Sequence, residues 1–172
     1  LGGRIYRGAK GLAGELGHLP VLPDGPRCDC GNQGCLEALC SGKSIGRRAE
    51  EAAARQPERG APLRRLAGAA PLSAEVVFAA ARQGDALAGE LVEETCRYLG
   101  LGLASLANIL DPEVIVLGGG VSRAGEGLLS PLRRQLQNHL MPAHRSRVRL
   151  ELARHPDHAV LLGAAVLAGQ LD

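Results

Sequence analysis

Aromatic side chains are nearly absent from this sequence: one phenylalanine, two tyrosines and no tryptophan among 172 residues. A core of domain size must then be assembled from Leu, Val, Ile and Ala, and the 45% hydrophobic content supplies the material for it. No apolar stretch is long enough to span a membrane, so no membrane partner is expected. Runs of Lys or Arg are also missing and the formal net charge is only +2, so nothing marks a nucleic-acid surface. No targeting segment is visible, which makes the cytoplasm the expected location. The chain starts at Leu1 without a methionine, which suggests a start inside a longer protein.

Cysteine is scarce but concentrated. Three of the five lie between Gly14 and Glu37, in GELGHLPVLPDGPRCDCGNQGCLE, spaced as His18, Cys28, Cys30 and Cys35. Thiolates and an imidazole nitrogen are the ligands a four-coordinate structural zinc prefers. Gly31 and Gly34 permit the turns that return Cys35 to its partners. Disulfides or free thiols are the competing reading. Against disulfides stand the odd cysteine count and the single residue between Cys28 and Cys30. Glu15 and Glu37 bracket the ligands, and closing the knot brings the two carboxylates together to hold a ligand. The alternative is that they are solvated loop charges.

Along the rest of the chain, LGGRIYRGA at 1–9 reads as a turn feeding a strand, the second half of a hairpin, in preference to a phosphate loop. Leu36 begins a short helix that Gly42 stops. A second helix over 44–55 looks largely solvated, and 56–71, with its prolines, reads as a surface connection. Ser73 caps a helix ending at Gly84, and Asp85 caps the longest helix, which Asp111-Pro112 terminates. Leu87, Leu91, Thr95, Leu99, Leu103 and Leu106 share a face of it. Gly100 and Gly102 cost helix propensity, which points to close packing at those positions. Cys96 reads as a small buried hydrophobe. VIVL at 114–117 is a strand buried on both faces, followed by Gly118-Gly119-Gly120 and a helix from Glu126 to about Leu140. Strand, glycine loop and helix is an arrangement that can present backbone amides to a phosphate, although a tight turn explains the glycines as well. VRLELA at 148–153 is a second strand. His155 and His158 lack companion ligands and read as solvated. A small apolar helix from His158 closes the chain against the sheet. The fold class is α/β.

The strings GELGH and CDCGNQGCLEALCSG, with LDPEVIVLGGGVS further on, resemble the signatures of the ROK family (repressor, open reading frame, kinase). The family contains bacterial glucokinases, other hexose and amino-sugar kinases, and sugar-responsive repressors. The resemblance implies one lobe of an actin-like ATPase (ribonuclease H-like) fold with an inserted zinc loop. Residues 1–172 would be the carboxyl-terminal lobe, with the zinc-binding loop at 18–37 and the amino-terminal lobe absent. It further implies sugar binding by Glu15, His18 and Glu37, structural zinc on His18, Cys28, Cys30 and Cys35, and nucleotide contact by Gly118, Gly119 and Gly120.

The implied reaction transfers the terminal phosphoryl group of ATP, with magnesium, to the 6-hydroxyl of a hexose, glucose first. Hexose and ATP are the expected ligands, and the family suggests a homo-oligomer. The phosphate motif and the aspartate base of such kinases are not found in 1–172, so this stretch alone is expected to be inactive. A ROK repressor with an upstream helix-turn-helix is the alternative from another class. A structural zinc module without a ligand is the third.

Overall fold

The computed structural model describes residues 3–169. Helices α1 (Leu36–Cys40), α2 (Gly42–Arg55), α3 (Pro57–Ala67), α4 (Ala74–Arg82) and α5 (Ala86–Leu110) come first. Strand β1 (Val114–Leu117), helix α6 (Glu126–His139), strand β2 (Arg149–Leu152) and helix α7 (Ala159–Ala168) follow.

The architecture is built on α5. The Asp85 carboxylate accepts the Ala88 amide at 2.8 Å and starts this helix, and Asp111, in the left-handed region at φ 46°, stops it before Pro112. One stripe of α5 buries Leu87, Leu91, Thr95, Cys96 and Leu103. Helix α6 lays Leu128, Leu129, Leu132 and Leu136 against it, and Ile45, Leu63 and Val77 close the core from the other helices. Phe78 is the one aromatic residue of this cluster, so its cohesion comes from aliphatic packing, about 1.5–3 kcal/mol for each large side chain removed from water. The Gly100 backbone runs so close to α6 that a Cβ there would sit 2.8 Å from the Gln135 Cβ. At Gly102 a Cβ would meet the Leu36 side chain at 2.8 Å, so this glycine lets α1 dock on α5.

β1 and β2 pair in parallel, Val114 opposite Arg149 and Leu117 opposite Leu152, and α6 connects them. Ile115 and Leu150 face the helices and are buried. Val116, expected to be buried as well, is 57% exposed on the other face. Helix α7 does not rest against the sheet as its sequence suggests: none of its residues is buried, and Val160 is 85% exposed. No element among the described residues packs broadly on α7, so its apolar side chains stay uncovered. No helix among the described residues is long and apolar enough to cross a membrane.

Four local expectations give way. Residues 3–9 form a turn and exposed irregular chain, not a strand; Leu1 and Gly2 lie outside the described residues. The break expected at Gly42 falls on Ser41, which is extended at ψ 156° and caps α2 through its side chain. Helix α2 is also not a solvated face, because Ile45, Ala49, Ala52 and Ala53 are buried. The stretch 56–71 contains α3, with Pro57 in the first turn, where its missing N–H costs nothing, and Leu63 fully buried. Pro57 marks the helix start, while Pro62 lies inside the helix and Pro71 beyond its end.

Two glycines of α5 give a signed test of the packing. Gly89 has open space around it, so Gly89→Ala should stabilise by about 0.5–1 kcal/mol through propensity alone. Gly100→Ala has the same propensity gain but drives a methyl into Gln135, and should destabilise by about 1–3 kcal/mol net. Chemical denaturation of the two variants should show shifts of opposite sign.

Candidate functional site

The path from Gly14 to Cys40 is a loop folded on itself and nailed to α1. A turn of 3-10 helix at Leu16–His18 leads into Pro20, which pairs antiparallel with Cys35, and Arg27 pairs with Gln33. The Val21 amide donates to the Gly34 carbonyl at 2.9 Å, the Gly34 amide to Pro26 at 2.9 Å, and the Leu36 amide to Leu19 at 2.9 Å. Gly34 is the pinch point. Its φ is 66°, and a Cβ there would lie 1.7 Å from the Leu22 carbonyl oxygen. The short turn Cys28–Gly31 is closed by the Gly31 amide on the Cys28 carbonyl at 2.9 Å.

This folding gathers His18, Cys28, Cys30 and Cys35 so that one ligand atom from each lies within 4.8 Å of all the others. Cys28 Sγ is 3.6 Å from His18 Nδ1 and Cys30 Sγ is 3.7 Å from Cys35 Sγ. A tetrahedral centre with bonds of about 2.3 Å to sulfur and about 2.0 Å to nitrogen has edges of about 3.5–3.8 Å, so the donor set fits such a metal. Cys28 and Cys35 are buried and Cys30 is exposed. Burial, and then the neighbouring Cys30 and Cys28 side chains, push the Cys35 thiol up to about 12. Contact with the Asn32 backbone, and then with Cys28, pulls the Cys30 thiol down. The remaining cysteines are separate: burial pushes Cys40 and Cys96 each up to about 12, and both fill the core.

Two carboxylates flank the histidine. Glu15 Oε2 lies 3.8 Å from His18 Nε2, and Glu37 Oε2 lies 4.0 Å from His18 Nδ1. Those separations are too long for direct hydrogen bonds, so the carboxylates keep their acceptor capacity. Both are half-exposed or more. A Cβ at Gly17 would meet Glu37 Oε2 at 3.3 Å, so the turn of the GELGH segment also sets where that carboxylate lies.

Gly118, Gly119 and Gly120 follow β1 at its carboxyl end. Gly119 has φ 84° and ψ −178°, a region essentially reserved for glycine. Its carbonyl accepts the Ser122 hydroxyl at 2.7 Å, which holds the loop shape. Built Cβ atoms at Gly119 and Gly120 meet nothing within 4 Å, so the backbone is open to an approaching group. Beside the loop runs a groove floored by Ala74, Phe78, Gly120, Val121 and Ala124, with the charged side chains of Glu75, Arg82 and Arg123 also lining it. No motif announces it, because α4 and the loop are some forty residues apart in sequence. The two regions share a corner: at Gly42, the first residue of α2, a Cβ would touch Val121 Cγ2 at 3.7 Å. His155 and His158 join no metal-type cluster among the described residues.

If Gly34 is the pinch point, Gly34→Ala should open the Pro20–Cys35 bridge at a cost above about 3 kcal/mol. Metal affinity, read by competition with a chromophoric chelator, should then collapse while the α5–α6 core stays folded. Unchanged affinity would show that the turn does not control the cluster.

A sequence model of the ROK family matches residues 1–171. The glucokinase of Halalkalibacterium halodurans is 38% identical over 171 residues, which is 99% of this chain and 52% of that protein. The DNA-binding transcriptional dual regulator NagC of Escherichia coli is 33% identical over 168 residues, 96% of this chain and 39% of the regulator. Among solved structures, a ROK family glucokinase from Streptomyces griseus in complex with glucose and AMPPNP superposes with a TM-score of 0.89 at 39% identity, covering 99% of this chain and 55% of that one. The chain spans about half the length of the glucokinases it matches. With a match running from residue 1 to residue 171, the chain belongs to the ROK family.

Proposed function

We propose that residues 1–172 are the carboxyl-terminal lobe of a ROK-type sugar kinase, one that transfers the terminal phosphoryl group of ATP to the 6-hydroxyl of a hexose, glucose first. The observation that carries this reading is the grouping of Glu15 and Glu37 within 4.0 Å of His18, on the rim of the cysteine cluster. Carboxylates suit sugar hydroxyls because each oxygen accepts from an O–H, and charge-assisted bonds are the stronger kind. Zinc held by His18, Cys28, Cys30 and Cys35 supplies no reaction chemistry in this account; it ties the loop so that the acceptors stay in place. His18 Nδ1 faces the cluster, which leaves Nε2, on the Glu15 side, to orient the sugar.

Phosphoryl transfer depends on positioning and on neutralising charge, which magnesium does when bound with ATP. The Gly118–Gly120 loop, open at Gly119 and Gly120, is the surface this lobe offers to the nucleotide, and the groove along Phe78 and Val121, with Arg82 and Arg123 at its edge, gives room beside it. The aspartate base and the first phosphate motif belong to the other lobe, whose docking face is the uncovered side of β1 with α7. That lobe completes the actin-like, ribonuclease H-like fold. Free cysteines suit a reducing cytoplasm, and a homo-oligomer is the assembly the family suggests.

The second reading, a sugar-responsive repressor, has the likeness to NagC in its favour. The open glycine loop favours the kinase, because a repressor needs only the sugar site.

In the full-length protein, Glu15→Gln and Glu37→Gln should each weaken glucose binding by about 1.5–3 kcal/mol, with zinc content and folding intact. Surface charges would change it by no more than about 0.5 kcal/mol. Calorimetric titration with glucose decides between the two, and unchanged affinity in both variants removes the sugar site. Residues 1–172 alone should show no ATP-dependent glucose phosphorylation. Turnover by that piece, free of other kinases, would place a base within it and overturn the lobe assignment.

A further inference from the structure

Helix α1 is five residues long and cannot satisfy its own last carbonyls. Helix α2 does so with side chains. Ser44 Oγ donates to the Glu37 carbonyl at 2.9 Å, Arg47 Nη2 to Ala38 at 3.3 Å, and Arg48 Nη1 to Leu39 at 2.9 Å. Three consecutive carbonyls of the helix that carries Glu37 are thus held by α2 side chains, the Glu37 carbonyl also accepting the Ser41 amide at 3.1 Å. Arg48, buried like Ser44, reaches on to α5. Its Nη1 also donates to Thr95 Oγ1 at 3.1 Å, and its Nη2 pairs with the Glu94 carboxylate, both on α5. Thr95 Oγ1 is free to accept, since its own proton goes to the Leu91 carbonyl at 2.7 Å.

A buried guanidinium is a poor choice for stability alone. Its desolvation costs several kcal/mol, and an apolar side chain of the same volume is often at least as stabilising. What it offers here is direction: a planar fork with donors in fixed positions, tying α1 to α5 at one angle. α1 follows Cys35 directly and carries Glu37 in its first turn.

We propose that Arg48, assisted by Ser44 and Arg47, is the positioning residue of the Glu37 carboxylate, setting sugar affinity through the orientation of α1 without touching the ligand. This rests on the reading of Glu37 as a sugar-binding carboxylate.

The test uses the full-length protein, with glucose and ATP-analogue affinities, zinc content and thermal stability measured on the same preparations. Arg48→Met should weaken glucose binding on the order of tenfold or more, leaving nucleotide affinity and zinc content unchanged. Arg48→Lys, which keeps the charge and one donor but loses the planar fork, should recover only a small part of that loss. A folded Arg48→Met protein with unchanged glucose affinity overturns the proposal. So does one that loses glucose and nucleotide binding together, the mark of a merely structural role. If Arg48→Met does not fold, the Ser44→Ala/Arg47→Gln double variant, which leaves the Arg48–Glu94 pair in place, decides in its stead: weaker glucose binding supports the proposal and wild-type affinity overturns it. Glu37→Gln separates the two levels. If it weakens glucose binding and Arg48→Met does not, only the positioning role falls; if neither does, the sugar-site reading falls with it.

Discussion

Three sulfur atoms and an imidazole nitrogen gathered within 4.8 Å of one another, with two of the sulfurs buried, need a partner that offsets their shared charge. Burial and then the neighbouring sulfurs push the Cys35 thiol up, while the Asn32 backbone and then Cys28 pull the exposed Cys30 thiol down. Much of the neighbouring geometry descends from this closure. It joins the Gly14–Leu22 segment to the amino end of α1, and it sets Glu15 and Glu37 on either side of His18. The loop has two supports: Leu16, Val21 and Leu22 pack against Leu36, Leu39, Cys40 and Tyr98, while around the ligands the buried cluster is small, Cys28, Cys35 and Ala38. On the ligand side its shape depends on the cysteine cluster and the Gly34 turn, in the way of small metal-tied units.

The helical core plays a different part. α5 and α6 are packed with aliphatic side chains and close backbone approaches, and that rigidity gives the loop something firm to stand on. α1 and α2 translate it to the site. The corner at Ser41–Gly42 lies between the carboxylate side and the glycine loop after β1, since Gly42 abuts Val121 and Ser44 holds the Glu37 carbonyl. Two chemically distinct surfaces are thus mounted on a single joint. The apolar α7 and the exposed Val116 face mark where the described residues lack the cover that such a sequence calls for.

Much of this was legible in the sequence because it depends on local chemistry. Ligand spacing, Ser73 and Asp85 as caps, the glycines of α5 and the apolar run of β1 each carry their meaning within a few residues. The gathering of His18 with the cysteines followed from ligand type plus Gly31 and Gly34. What was not legible depends on distant partners. The Ala49, Ala52 and Ala53 stripe of α2 looks solvated until α3 and α4 are seen to cover it, and α3 hides behind Pro57, which a helix tolerates in its first turn, and Pro62, which lies inside it against the local preference. The Arg48 network joins residues nearly fifty positions apart, and nothing in SIGRRAEE distinguishes its buried arginine from the exposed one beside it.

The central claim is that metal closure of the loop creates the carboxylate site. Glucose titration of one full-length preparation in three states tests it directly: zinc-loaded, stripped with a chelator, and reloaded. The account predicts glucose binding in the first state, its loss in the second while the α5–α6 core keeps its helical signal, and its return in the third. Glucose affinity that is the same in the stripped, folded protein would contradict it.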